Sequence, residues 1–171
     1  MDSPQNNQQL GRTTNRLALY QQQISPAPPT KDSDQIKQPT MAARDPITCH
    51  CLNTLSGTPA ANLPTSAASG ISFRATTNAD GRVANWTPVG TASESVPAIL
   101  AALPAADSKT NWSVRFDVGP WYEAQGVESF WPEVEVKFTV KGRGREGEEG
   151  WRHYHVPVLL GPWNYSTYRG S

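Results

Sequence analysis

From residue 47 onward, apolar and polar residues alternate in short runs, a pattern typical of half-buried β-strands. In EVEVKFTV (133–140) the apolar residues fall at every second position, so Val134, Val136, Phe138 and Val140 share one face of a strand. The same pattern identifies further strand candidates: ITCHCLNT (47–54), ISFRATT (71–77), WSVRFDV (112–118), WRHYHVPVLL (151–160) and NYSTYRG (164–170).

Turn residues separate these runs. SGTP (56–59) closes the first, NADG (78–81) follows the second, and GRGREGEEG (142–150) predicts a solvated hairpin loop. PWYEAQG (120–126) predicts one or two helical turns, because Pro favours the start of a helix and Gly its end. Several short strands with one short helix indicate an all-β fold, an antiparallel β-sandwich.

Residues 90–110 fit this pattern less well. Their centre is rich in Ala and Leu and permits a short helix, so we interpret the segment as an insertion between two strands.

Residues 1–45 differ in composition from the rest of the chain. They are rich in Gln, Asn, Pro, Ser and Thr, and such a segment cannot bury enough apolar surface to offset the entropy of ordering it. We therefore predict a disordered tail over residues 1–45 and a folded domain over residues 46–171.

Composition narrows the classes of partner. The 171 residues suffice for one domain and a tail, and 15 basic residues balance 15 acidic ones. A formal net charge of zero argues against a general nucleic-acid binder. We see no secretory leader, and no apolar run approaches the ~18 residues of a membrane span. We expect no nucleic-acid or membrane partner, and a reducing compartment.

The two cysteines predict core packing. Cys49 and Cys51 lie two apart on one strand, so they share a face and cannot easily form a disulfide with each other. His50 lies between them and points to the opposite face, so the three side chains cannot converge on one metal ion without a distorted backbone. The C-x₂₋₄-C spacing of zinc sites is also missing, and we expect no metal and no cofactor.

Two histidines are candidates for proton transfer. If the cysteines fill the core, His50 points out of it, and His155 alternates with Tyr154 and Val156 in the same way. His153 shares the face of His155. Histidine has an unperturbed pKa of about 6.5, which suits acid–base work near neutral pH. The alternative is that these are exposed histidines without a role.

Arg82 and the end of the chain complete the candidates. Arg82 follows the NADG turn, and its alternative role is that of a solvated turn residue. The final strand runs into Arg169 and Ser171 without a polar tail, although terminal residues usually fray. An ordered end places Arg169 and the Ser171 carboxylate at a fixed position, which suggests a site.

Four segments together resemble the 5-hydroxyisourate hydrolases, the enzymatic relatives of transthyretin. YHVPVLLGPWNYSTYRGS resembles their C-terminal signature, and ITCHCLNTLSGTPAANL resembles their first strand and turn. TTNADGRV resembles their arginine-bearing turn, and VRFDVGPWYEAQGVESFWPEVEVKFTV their central strand–helix–strand. The order is the same, and the segments cover most of residues 46–171.

The resemblance implies a transthyretin-like sandwich assembled as a homotetramer. It also implies metal-free hydrolysis of 5-hydroxyisourate to 2-oxo-4-hydroxy-4-carboxy-5-ureidoimidazoline in urate degradation. The implied catalytic residues are His50, Arg82, His155 and Ser171, and the implied substrate-binding residues are His50, Arg82, Tyr168 and Arg169.

The implied roles agree with general chemistry. The histidines would activate water, and Arg82 would bind a carbonyl or oxyanion edge. Tyr168 would donate a hydrogen bond or pack on the flat ring. Ser171 would orient a histidine or water.

Two alternatives remain open at this point. One is a transthyretin-like protein that binds a small ligand without catalysis. The other is an inactive variant: LPTSAASG (63–70) is poor in β-branched residues where the family has an apolar strand, and a missing strand would expose the backbone of its neighbours.

The tail contains a candidate targeting segment, RLALYQQQI (16–24). It resembles the N-terminal type of peroxisomal signal, with Arg16 and Leu17 at its start and Gln23 and Ile24 at its end. Leu17, Tyr20 and Ile24 fall on one face of a short helix. We expect recognition by a peroxisomal import receptor and a cytosolic form that starts at Met41; chance is the alternative explanation.

Overall fold

The computed structural model describes residues 44–142 and 147–171. The predicted tail, except for its last two residues, and the targeting segment lie outside the described residues, as do residues 143–146 of the predicted hairpin loop. The described residues form β1 Ile47–Asn53, β2 Thr58–Pro59, β3 Pro64–Ser69, β4 Ile71–Thr76, β5 Arg82–Val83, β6 Thr87–Pro88, α1 Val96–Ala101, β7 Lys109–Phe116, α2 Val118–Glu123, β8 Val134–Lys141, β9 Tyr154–Leu160 and β10 Tyr165–Thr167.

These strands form two sheets. The first has the order β10-β9-β1-β2, and β5 also pairs with β1. The second has the order β6-β4-β3-β7-β8. The predicted all-β class is confirmed, since the only helices of the described residues are the two short ones.

One pairing departs from the predicted antiparallel sandwich. Strands β1 and β9 run parallel, with Cys49 opposite Val156 and Thr48 opposite His155. The two strands are far apart in the sequence, so no hairpin imposes an antiparallel direction on them. This register decides which side chains meet in the site described below.

The suspected loss of the second strand is wrong. Pro64–Ser69 forms β3, which pairs along its length with β4 and also with β7. Its Ala67 is buried and its Thr65 donates a hydrogen bond to the Ala75 carbonyl at 3.2 Å. A strand between two others is held by backbone hydrogen bonds on both sides, which outweigh a weak intrinsic β-propensity.

Both helices follow the sequence pattern with small changes in their bounds. Helix α1 lies in the 90–110 insertion, with Ser95 as N-cap and Val96 and Leu100 buried. Helix α2 begins at Val118, two residues before Pro120, and its Tyr122 is buried. Neither helix in the described ranges is long and apolar enough to cross a membrane.

The core lies between the sheets and is rich in aromatic and β-branched side chains. Phe73 and Trp112 stack with ring centroids 6.0 Å apart, and the Trp86 indole N–H donates to the Ile47 carbonyl at 2.8 Å. Val134 and Val140 of β8 are buried and Val136 and Phe138 pack against the core, as the period-two pattern predicts. This core holds β1, β5 and β9, which carry the candidate residues.

Candidate active site

Strand β1 presents His50 on the face away from the core. Cys49 and Cys51 are 1% and 0% exposed, both with free thiols, and His50 between them is half-buried on the other side. The predicted alternation is therefore confirmed. A hydrogen bond from Cys49 and burial raise the pKa of the Cys51 thiol far above its ordinary value, so this thiol stays protonated and unreactive.

A tight turn places Arg82 beside His50. The Asn78 side chain accepts hydrogen bonds from the N–H groups of Asp80 (3.0 Å) and Arg82 (2.8 Å). Gly81 has a φ of +71°, and a Cβ there would collide with the Cys51 carbonyl oxygen. The turn can therefore lie tightly against β1, and Arg82 becomes the cross-strand neighbour of His50.

Strand β9 places His155 beside the same pair. The rings of His50 and His155 lie 6.5 Å apart between centroids. Thr48 Oγ1 lies 2.8 Å from His155 Nδ1 and 3.0 Å from His153 Nε2. Thr48 is 6% exposed, so this hydroxyl is removed from bulk water.

A cavity of about 170 Å³ collects these groups. The predicted residues Arg82, His155 and Ser171 line it, and its remaining lining consists of Arg44, Thr48, Cys49, Val83, Ala84 and His153. Two larger grooves, of about 470 and 510 Å³, lie elsewhere. We assign the site to the smaller cavity because it joins imidazoles to a guanidinium, whereas no histidine lines either larger groove.

The last described residues form one wall of this cavity. The Gly170 N–H donates to the His155 carbonyl at 3.0 Å. A Cβ on Gly170 would lie 2.7 Å from His155 Cδ2, so the backbone passes the imidazole at a distance that only glycine permits. Ser171 follows directly and lines the cavity. The predicted ordered end of the chain is therefore present, and it contacts a candidate catalytic side chain.

The two other predicted binding residues lie outside this wall. Tyr168 is 62% exposed, and Arg169 is also exposed. Neither belongs to the described lining of the cavity, and both lie between β10 and Gly170.

Burial and positive charge keep both histidines neutral. Burial and then Arg82 lower the pKa of His50, against smaller opposing effects of Asp80. Burial lowers the pKa of His155 as well, followed by the charges of Arg82, His153, His50 and Arg44. At neutral pH both imidazoles are therefore available as proton acceptors.

Two lining residues escaped the sequence reasoning. Thr48 lies two residues before His50 on the same face of β1, so strand periodicity could have found it. Arg44 precedes β1 outside any periodic pattern, and the sequence carries no signal for it. His153 was predicted to share the face of His155, and both rings contact Thr48.

Comparison with known proteins decides the family. The profile described as the HIUase/Transthyretin family matches residues 47–170, which contain the histidines, Arg82 and almost all of the terminal segment. This chain belongs to the HIUase/transthyretin family.

Named relatives agree with this assignment. The probable 5-hydroxyisourate hydrolase of Schizosaccharomyces pombe is 36% identical over 135 residues, 73% of this chain and 90% of that protein. The 5-hydroxyisourate hydrolase of Mus musculus is 33% identical over 134 residues, 74% of this chain and 95% of the mouse protein.

Solved structures give the same fold. The 5-hydroxyisourate hydrolase of Klebsiella pneumoniae is similar with a TM-score of 0.52 and 27% identity, covering 73% of this chain and 97% of that one. Transthyretin from Sparus aurata has a TM-score of 0.56 at 22% identity over 74% of this chain and 97% of its own, a likeness of fold alone. The transthyretin-like sandwich expected from the sequence is confirmed.

Proposed function

We propose that this family member is a 5-hydroxyisourate hydrolase, an enzyme of urate degradation that forms 2-oxo-4-hydroxy-4-carboxy-5-ureidoimidazoline. The observation that carries the proposal is the cavity in which neutral His155 and Arg82 meet, with His50 beside them. The named relatives from fission yeast and mouse support the choice of substrate.

The proposed reaction is hydrolysis of a cyclic amide. Water attacks a ring carbonyl carbon, a C–O bond forms, the ring C–N bond breaks, and the proton lost by water ends on the leaving nitrogen. His50 and His155 share these proton transfers, and a positioned acid or base contributes typically about 10²–10⁴-fold in rate. Their lowered pKa values keep them unprotonated and ready to accept the first proton.

Arg82 supplies the positive charge of the site. Its planar guanidinium suits the carbonyl and oxyanion edges of a urate-like ring and stabilises the charge that develops on the attacked carbonyl oxygen. Ser171 lines the cavity and orients the water or an imidazole. Tyr168 and Arg169, on the exposed side of the terminal segment, contact the outer edge of the substrate.

The direct test is a spectroscopic assay with freshly generated 5-hydroxyisourate. Purified protein is expected to accelerate the decay of its ultraviolet absorbance over the spontaneous rate, and His155→Asn protein at equal concentration serves as the control. Ligand binding without acceleration would replace the proposal with the non-catalytic alternative.

We propose that the enzyme works as a homotetramer. Large apolar side chains are exposed on the single chain, among them Leu55, Phe130 and Trp163 at 59%, 66% and 62%. The outer strands β8 and β10 also leave sheet edges open within the described residues. Light scattering on a sizing column is expected to give four times the chain mass, and a monomer at micromolar concentration contradicts this proposal.

We propose a peroxisomal location through residues 16–24, with a cytosolic form starting at Met41. The spacing of Arg16, Leu17, Gln23 and Ile24 supports it. Residues 1–40 fused to a fluorescent reporter are expected to reach peroxisomes, and Leu17→Arg to abolish this. A diffuse unmutated fusion, in cells with a working receptor, contradicts it.

A further inference from the structure

We propose that Thr48 and His153 form a proton relay behind His155, in which the Thr48 hydroxyl passes a proton between the two imidazoles during turnover. This inference deepens the proposed hydrolase function and rests on it. Neither residue belongs to the catalytic set predicted from the sequence.

The geometry comes from the parallel pairing of β1 with β9. Thr48 lies opposite His155 in this register, and His153 lies two residues earlier on the same face of the chain. The Thr48 hydroxyl thereby contacts His155 Nδ1 at 2.8 Å and His153 Nε2 at 3.0 Å. Both distances are those of hydrogen bonds.

A hydroxyl carries a single proton, which couples the two rings. If Thr48 donates to one imidazole nitrogen, the nitrogen on its other side must bear the hydrogen of the second bond. When His155 Nδ1–H donates to Thr48, His155 Nε2 therefore holds a lone pair, and Thr48 donates to His153 Nε2. The tautomer of His155, and thus its fitness as a base, depends on this chain.

The relay balances the proton that water gives up. His155 Nε2 takes a proton from water, the Nδ1 proton of His155 passes to Thr48 Oγ1, and the Thr48 hydroxyl proton passes to His153 Nε2. The positive charge moves from His155 to His153. The reverse transfers return the proton through His155 Nε2 to the leaving nitrogen.

The surroundings favour moving the charge away from His155. Facing groups from every neighbouring element are basic: Arg82 on β5, His50 on β1, Arg44 before β1, and His153 on its own chain segment. His153 also stacks on Trp151, with centroids 6.4 Å apart and planes at 11°, and an imidazolium is stabilised by an indole face.

Thr48→Val tests the relay, because valine keeps the shape and removes the hydroxyl. We expect kcat to fall about 10-fold or more with KM within about twofold, since the loss lies in proton transfer. Thr48→Ser restores the hydroxyl and should recover most of kcat. His153→Gln offers hydrogen bonds but cannot hold the proton, so it should resemble Thr48→Val.

Thr65→Val is the matched control. Thr65 is also buried and also donates a hydrogen bond to a neighbouring strand, but it lies on β3. It should lower the melting temperature about as much as Thr48→Val and leave kcat unchanged. Wild-type kcat in Thr48→Val, or an equal loss of kcat in Thr65→Val, overturns the relay.

Nitrogen-15 NMR of the histidines gives a readout independent of turnover. In the wild type, His155 should carry its proton on Nδ1 near neutral pH, and Thr48→Val should change that tautomer. Thr65→Val should not. An inactive wild type would refute the proposed hydrolase activity, and the relay would then stand or fall on this tautomer change alone.

Discussion

The outer faces of the two sheets carry charged side chains in opposite arrangements. On the second sheet cations face carboxylates: Arg115 lies 3.4 Å from Asp117 and 3.5 Å from Glu133, and Lys137 lies 3.3 Å from Glu135. On the first sheet the half-buried imidazoles of His50 and His155 face the guanidinium of Arg82.

The difference shows what turns polar residues into a site. Exposed ion pairs are neutralised and screened, and they contribute little to the fold or to reactivity. Imidazoles that are partly buried beside like charge remain neutral and basic, because protonation would add to the repulsion. The contrast between the two faces can be tested from its strongest element to its weakest.

Removing either histidine should have the largest effect. His155→Asn and His50→Asn are each expected to lower kcat by about 10²-fold or more, because each removes a proton-transfer group. Circular dichroism and melting curves should show a folded domain, since both side chains lie on the outer face of the sheet. Wild-type turnover in both variants would end the two-histidine mechanism.

Arg82→Lys should follow, with a loss of about 10²-fold in kcat/KM. An ammonium group keeps the charge but cannot reproduce the planar, two-point contact of a guanidinium. Steady-state kinetics measure the effect. Unchanged kcat/KM would return Arg82 to the role of a solvated turn residue.

Gly170→Ala should cost about 10-fold in activity, because misplacing a catalytic group is expensive even far from unfolding. The added Cβ would press on His155 Cδ2 at 2.7 Å and displace the ring. Ser166→Ala, on an exposed position of β10, is the control. Equal melting and equal turnover in both variants would show that the terminal segment does not hold His155.

The pH dependence should be moderate and one-sided. Activity is expected to stay level above pH 6.5, the ordinary histidine value, and to fall below it as the lowered pKa values of His50 and His155 are reached. The folded state binds fewer protons than the unfolded chain in that window, so stability rises with pH up to about 6.5 and then levels off. Melting temperatures of wild type and His155→Asn between pH 5 and 8 test this: the variant should show a shallower rise.

Arg115→Gln should have the smallest effect. Its two ion pairs are exposed, and such pairs contribute about 0–1 kcal/mol to stability. The variant should melt within a few degrees of wild type and retain full turnover. A loss of activity comparable to Arg82→Lys would erase the distinction between the two faces.

Much of the fold could be predicted from local patterns. The strand at 133–140 and the alternation of Cys49, His50 and Cys51 depend on side-chain period, which the sequence displays directly. Strand β3 was doubted because Ser and Ala have weak β-propensity, and its partners β4 and β7 supply the missing stabilisation. Such neighbours are invisible in a local window of sequence.

The sequence by itself determined the periodicities, the turn before Arg82, the outward direction of His50 and His155, and the family resemblance. Only the tertiary structure decided that β1 and β9 pair in parallel, that Thr48 joins His153 to His155, and that Gly170 passes against the imidazole. The reason is physical: the chain encodes facing through local backbone geometry, whereas register between strands about 105 residues apart is chosen by the packing of the whole core.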